Sequence, residues 1–198
     1  MFQIIPEYCR TMRVMRQFAP DHIVAGTTRI SLRKDLDEEL RERKIPIKEI
    51  RFREIGFAQQ HTKNVDKNVE IKVIEYNASK GKEYFLQAVN KENFLFGLLR
   101  LRIPANLEEP IVDELKNCAI IRELHVYGQS LDLGEESKDA TQHKGLGKAL
   151  MLKAEEIIKG LQSKEINKIA VISGIGVREY YRKLGYNLDH WYMIKEIN

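Results

Sequence analysis

The chain has 198 residues, enough to bury one real core, with 33 Lys/Arg against 29 Asp/Glu for a formal net charge of +4. Its composition is that of an ordinary globular protein, with no repeat or low-complexity tract, and no apolar run approaches the roughly 20 residues a membrane span needs. The start, Met1 to Pro6, leads into a basic segment rather than a secretory signal, and two scattered cysteines, Cys9 and Cys118, exclude a disulfide framework and suit a reducing, cytoplasmic setting.

The positive excess sits at one end. Residues 1–53 hold 12 Lys/Arg against 8 Asp/Glu, and residues 54–198 hold 21 of each. Residues 1–26 read as a partly extended, strand-poor segment in which Arg10, Arg13 and Arg16 recur every third position. Ser31 is placed to cap a helix running to about Lys44, with Leu32, Leu36 and Leu40 on one stripe and Pro46 as its stop. Residues 50–55 read as a strand with Arg51 and Arg53 on one face. Those five arginines are either a solvated face or contacts for RNA phosphates, in which case affinity falls with salt. The expected division is a basic extension, 1–53, and a main domain, 54–198.

From Val69 the pattern turns to sheet. Residues 69–76 and 83–89 read as strands about a turn at 77–81, followed by strands at 94–103 and 119–127 and a polar loop at 128–141. Leu146, Ala149, Leu150, Ala154, Ile157, Ile158 and Leu161 then repeat at helical spacing. Residues 168–173 read as a buried strand. Gly174 and Gly176 precede a short helix, 177–184, stopped by Gly185, and residues 186–197 read as a last strand. Hairpins first and helix-linked strands later make a mixed α/β fold.

Gln142-His143-Lys144-Gly145-Leu146-Gly147 opens the long helix. A glycine turn entering a helix leaves unpaired N–H groups, and the helix dipole favours an anion there. The pattern alone fits an ordinary glycine-containing helix entry equally well. The order of phosphate-type loop and helix, strand, Tyr-Tyr helix, Gly-Tyr and closing strand resembles the Gcn5-related N-acetyltransferases. More narrowly, residues 121–128, 142–147, 169–174 and 179–186, with 53–56 and 97–102 upstream, resemble the C-terminal acetyltransferase domain of the Elongator catalytic subunit. The resemblance runs from about Ile5 to Ile194. It implies a mixed, mostly antiparallel central sheet flanked by helices. It also implies acetyl-CoA as co-substrate and modification of the transfer-RNA wobble uridine with a carboxymethyl-type group, in the anticodon region.

The resemblance places the acetyl-CoA pyrophosphate on Gln142 to Gly147 and the pantetheine arm along Glu123, Leu124, His125 and Val126. Amides of Glu123, His125 and Val126 are the candidates for that pairing, and Val126 for polarising the thioester carbonyl. Lys144 and Lys148 flank the loop as phosphate partners or as solvated side chains. His143 touches the phosphate or ribose, or is merely exposed. Glu123 and His125 lie two apart on a strand, hence on one side, as a proton relay or a structural pair. Of the adjacent Tyr180 and Tyr181, about 100° apart on a helix, superfamily pattern assigns Tyr181 to the departing thiolate and Tyr180 to packing.

The family also uses a radical S-adenosylmethionine domain whose iron–sulfur cluster needs a three-cysteine motif. Two cysteines cannot supply it, so neither cluster nor S-adenosylmethionine is expected on this chain. Residues 1 to about 50 resemble only the tail of that domain and the connection from it. Partners implied are that radical domain, other Elongator subunits or self-association. Family members often carry cysteines, in some cases holding zinc, where Ile47, Glu49 and Phe52 stand here, and no metal is expected. The competing readings are an autonomous amine acetyltransferase acting on lysines or small molecules, and a non-catalytic module that binds acetyl-CoA and RNA.

Overall fold

The computed structural model describes residues 2–16, 18–28, 31–59, 65–127, 145–163 and 165–197. The chain divides into two compact units, Met1–Val65 and Asp66–Asn198. The division by contacts thus falls later than the 53/54 boundary that charge suggests. Residues 54–59, at least, fold with the basic segment.

In the first unit α1, Leu32–Glu42, starts after Ser31, whose side chain makes no capping hydrogen bond. Two one-turn helices follow, α2 (Ile50–Arg53) and α3 (Ile55–Ala58), where a strand was expected. The alternation of Ile50, Phe52 and Glu54 with arginines mimics a strand, but Glu49 decides otherwise. Its carboxylate accepts from the N–H groups of Arg51 (3.1 Å) and Phe52 (2.9 Å), which starts a helical turn. The same carboxylate takes Arg33 Nη2 at 2.5 Å and the Thr11 N–H at 3.1 Å, and it is fully buried. Arg33 also reaches Asp37 (2.9 Å) and Thr11 O (2.6 Å). One ion pair therefore ties the N-terminal segment, α1 and α2 together. Both Glu49 oxygens are filled by protein donors, Ile47 is buried, and Phe52 lies 4.0 Å beneath the Arg41 guanidinium.

The second unit is built on a seven-stranded sheet of the described residues, in the order β1-β2-β3-β4-β5-β7-β6. β1 (Glu70–Ala78), β2 (Gly81–Val89), β3 (Leu95–Ile103) and β4 (Cys118–Val126) form an antiparallel meander. β4 then pairs in parallel with β5 (Lys168–Ile172), and α4 (Leu146–Gly160) lies between them in sequence. α5 (Arg178–Arg182) leads into the hairpin β6 (Asn187–Asp189) and β7 (Tyr192–Glu196). A single last strand was expected over 186–197. His190 at φ 46° turns the chain back instead. The mixed, mostly antiparallel α/β fold is the one the resemblance implied.

One sheet face and α4 make the main core: Leu86, Leu99, Leu101, Ile121, Leu150, Ala154, Ile169 and Met193 are all fully or almost fully buried. Within it a buried polar cluster pins α4 to the last strand. Tyr186 Oη donates to Glu155 Oε1 (3.0 Å), and Lys195 Nζ donates to both Glu155 oxygens (2.9 and 2.8 Å). Burial first, and the Glu155 carboxylate second, push the Tyr186 phenol well above its ordinary range, so it stays a donor. Glu155→Ala strands Lys195 and Tyr186 together. An exposed pair is worth under about 1 kcal/mol and breaking a fully buried one costs about 3–5. With the Lys195 side chain 26% exposed, the expected loss is about 2–3 kcal/mol in urea unfolding. A loss below about 0.5 kcal/mol, the level of an ordinary surface change, would contradict the clamp.

Candidate functional site

The sheet splits at its centre. β4 and β5 are paired only from Cys118↔Lys168 to Ile121↔Val171. Among the described residues β4 continues to Val126 against β3 alone, so a wedge opens beside its last residues. Tyr127 N–H donates to Phe96 O at 2.8 Å, which fixes the alternation of the ladder. Glu123 and His125 turn their backbone groups toward β3. Leu124 and Val126 turn theirs into the wedge. Of the amide candidates, Glu123 and His125 therefore bond to β3, while Val126, and Leu124 beside it, border the wedge. An extended amide entering the wedge would find an unpaired strand edge.

The N-terminus of α4 meets this edge. Gly145, its N-cap, sits at φ +104° and offers no side-chain cap. That left-handed conformation suits glycine and strains any L side chain. The first intrahelical bond runs from Ala149 N–H to Gly145 O (2.8 Å), so the amides of Leu146, Gly147 and Lys148 have no acceptor inside the helix. Lys148 is exposed beside them. Gln142, His143 and Lys144 lie outside the described residues. A Cβ on Gly147 would stand 2.9 Å from Tyr180 Oη and 3.6 Å from Val126 Cγ2. The first turn of α4, the tip of β4 and α5 therefore converge on one point. Gly97 lets β3 pass close beneath, since a Cβ there would meet His125 O at 3.0 Å and Leu146 and Leu150 at 3.3 Å.

The two tyrosines exchange their expected places. Tyr181 is 7% exposed in the main core, edge-on to Tyr186 at 6.1 Å, and is the packing residue. Tyr180 is 36% exposed and brings its hydroxyl to Gly147. The 100° step of a helix allows only one to face the core, and the stacking of Tyr181 on Tyr186 decides which. Burial raises both phenols above their ordinary range, so each remains a proton donor at neutral pH.

Glu123 and His125 do share a side of β4, with His125 Nε2 at 3.2 Å from Glu123 Oε1. The sequence did not reveal what lies behind them. Arg100 Nε donates to Glu123 Oε2 (2.8 Å), and Arg100 Nη1 donates to Tyr76 Oη (2.9 Å). Tyr76 donates to Glu83 (3.1 Å), which also takes Arg102 (3.1 Å) and Arg122 (2.5 Å). Burial alone would raise the Glu83 carboxyl, but the bond and charge of Arg122, with Arg102 and Tyr76, hold it below the usual range. Arg122 sits at the β3–β4 irregularity, where the register shifts after Arg100. The Arg-Leu-Arg alternation at 100–102 was the available signal for this chain of charges.

The five arginines fare differently. Arg53 is buried, donating to Lys48 O (2.7 Å) and Glu7 O (3.1 Å), and Arg10 pairs with the buried Glu54. Both are engaged within the first unit. Arg13 and Arg16 are exposed, Arg16 lying 5.3 Å from the Phe18 ring centre. Arg51 lies 5.3 Å over Phe57, with Asp37 at 4.0 Å. No helix among the described residues is long and apolar enough to cross a membrane.

No family model matches the chain. It is 39% identical over 201 residues to a tRNA uridine(34) acetyltransferase of Dehalococcoides mccartyi, which covers 98% of this chain and 42% of that protein. It is 36% identical over 196 residues to Elongator complex protein 3 of Drosophila melanogaster, covering 98% of this chain and 35% of the relative. Among solved structures it superposes on the archaeal Methanocaldococcus infernus Elp3 with an N-terminal deletion at TM-score 0.80 and 34% identity, covering 98% of this chain and 45% of that one. The chain thus spans less than half the length of these relatives.

Proposed function

This chain belongs to the Elongator protein 3 family, corresponding to its C-terminal acetyltransferase domain, and we propose that it binds acetyl-CoA in the β4–β5 wedge for modification of the wobble uridine of transfer RNA. The observation that carries this reading is the convergence of the β4 edge, unpaired among the described residues, with the start of α4, which has no side-chain cap from its Gly145 N-cap. The amides of Leu146, Gly147 and Lys148 suit the pyrophosphate. The Leu124 and Val126 edge suits the pantetheine amides, and the Val126 N–H is available to polarise the thioester carbonyl. When an acceptor, water or the RNA substrate, bonds to the acyl carbon and the acyl–sulfur bond breaks, the electron pair leaves with sulfur. Tyr180 is the hydroxyl positioned to return a proton to that thiolate. The Glu123–His125 pair, anchored by Arg100, is the candidate relay on the far side of β4.

The carboxymethyl-type product requires radical chemistry that this chain does not supply. Cys118 is wholly buried on β4, its thiol pushed up to about 11 by burial, and Cys9 is the only other thiol. Two thiols do not fit a three-cysteine cluster. A cluster of that kind would need cysteines beyond these two. Calorimetric titration of the chain with acetyl-CoA tests the reading. Saturable binding that free CoA competes away is expected; no binding would overturn it.

A further inference from the structure

We propose that the first unit carries a built site for one nucleotide of a single-stranded RNA, a proposal that rests on the RNA-modifying reading above. A cavity of about 340 Å³ opens there, with Met12, Val14 and Met15 as apolar lining and Arg13, Lys34 and Arg51 as cations. That is the size and the mixture of surfaces that takes a nucleoside with its phosphate at the rim. The cations are available. Arg13 is exposed and has no carboxylate partner among the described residues. Lys34 is 74% exposed with Glu38 at 3.7 Å, and the Arg51 side chain is 29% exposed with Asp37 at 4.0 Å from its Nε. Arg33, also on the wall, is spent on Glu49, Asp37 and Thr11. Exposed rings carry further guanidinium groups, Arg16 on Phe18 and Arg51 on Phe57, a pairing that stacks bases well.

The acidic neighbours select the partner. Asp37 near Arg51 and Glu38 near Lys34 interrupt the positive field. A rigid duplex laid across this face would meet those carboxylates. A flexible strand can dip one nucleotide into the cavity and turn away. The site therefore differs from a broad basic rail, and it drops Arg10 and Arg53 while adding Lys34.

The test uses the full chain and a fluorescein-labelled single-stranded uridine-rich RNA, read by anisotropy at several salt concentrations. Replacing Arg13 and Lys34 together by Ala is expected to weaken binding and lower the salt slope by about 1.4, at about 0.7 per lost contact with a single strand. Val14→Trp, which fills the cavity without changing charge, is expected to weaken binding at unchanged slope. Lys72→Ala with Lys82→Ala, on β1 and β2, is expected to change neither. Unchanged affinity in Val14→Trp, an equal slope change in the strand lysine variant, or equal competition by duplex RNA, inorganic phosphate or an acidic peptide at matched ionic strength would each overturn the site. Acetyl-CoA titration of the same variants separates the two ideas. If RNA behaviour fails while acetyl-CoA still binds, the nucleotide site alone falls; if acetyl-CoA binding fails in the unaltered chain, the transferase reading falls.

Discussion

Gly147→Glu will abolish detectable acetyl-CoA binding in a chain that stays folded. A side chain at this position starts 2.9 Å from Tyr180 Oη and 3.6 Å from Val126 Cγ2, and so grows into the mouth of the wedge. It also places a carboxylate where the α4 amides and the helix dipole favour an anion, which opposes a second anion. The fold should survive. Gly147 is partly exposed, and the atom it first meets is the far end of a tyrosine that can swing outward. Gly145→Ala makes a useful comparison. Among the described residues nothing lies within 4 Å of a Cβ placed there, but its φ of +104° disfavours any L residue. That variant should cost about 1–2 kcal/mol of local strain and weaken binding less. Unchanged affinity in a folded Gly147→Glu chain, measured by calorimetry with circular dichroism as the control, would remove the α4 start from the site.

Tyr180→Phe will bind acetyl-CoA nearly as well as the unaltered chain and lose thioester cleavage by about 10²-fold. The phenol oxygen comes nearest to the point where α4, β4 and α5 meet, 2.9 Å from a Cβ placed on Gly147 against 3.7 Å for Cζ, and its deletion leaves the ring in place. Tyr181→Phe removes a hydroxyl from a core side chain and should change turnover only slightly. Tyr181→Ala should instead destabilise the fold by about 3–5 kcal/mol, the usual cost of deleting a buried ring. Single-turnover release of CoA from bound acetyl-CoA distinguishes them. If the Phe substitution at 181 is the damaging one, the tyrosine buried against Tyr186 is the proton donor and Tyr180 is not.

The meander, the long helix and the glycine turn were legible because each leaves a periodic or local signal. β1 to β4 follow alternation and α4 follows its apolar stripe. Residues 50–55 misled because alternation over six positions also fits a helical turn capped by the preceding Glu49 carboxylate and followed by a second turn; Arg33, which holds that carboxylate, lies far off in sequence. Residues 186–197 hid a hairpin because its turn, His190-Trp191, contains neither glycine nor proline. The position of β4 was readable, but the direction of its amides was not. That depends on which residues bond to β3, and one backbone contact, Tyr127 to Phe96, settles it. The same holds for the arginines: charge arithmetic found the basic unit, and only packing separates Arg53, spent on carbonyls, from Arg13, facing solvent.

The most direct measurement supplies the full chain with acetyl-labelled acetyl-CoA, with and without transfer RNA, and follows both free CoA and the fate of the label. The account predicts release of CoA that transfer RNA accelerates, with no labelled amine on added lysine peptides or small amines. Label accumulating on an amine, at a rate indifferent to transfer RNA, would contradict it and identify an autonomous N-acetyltransferase instead.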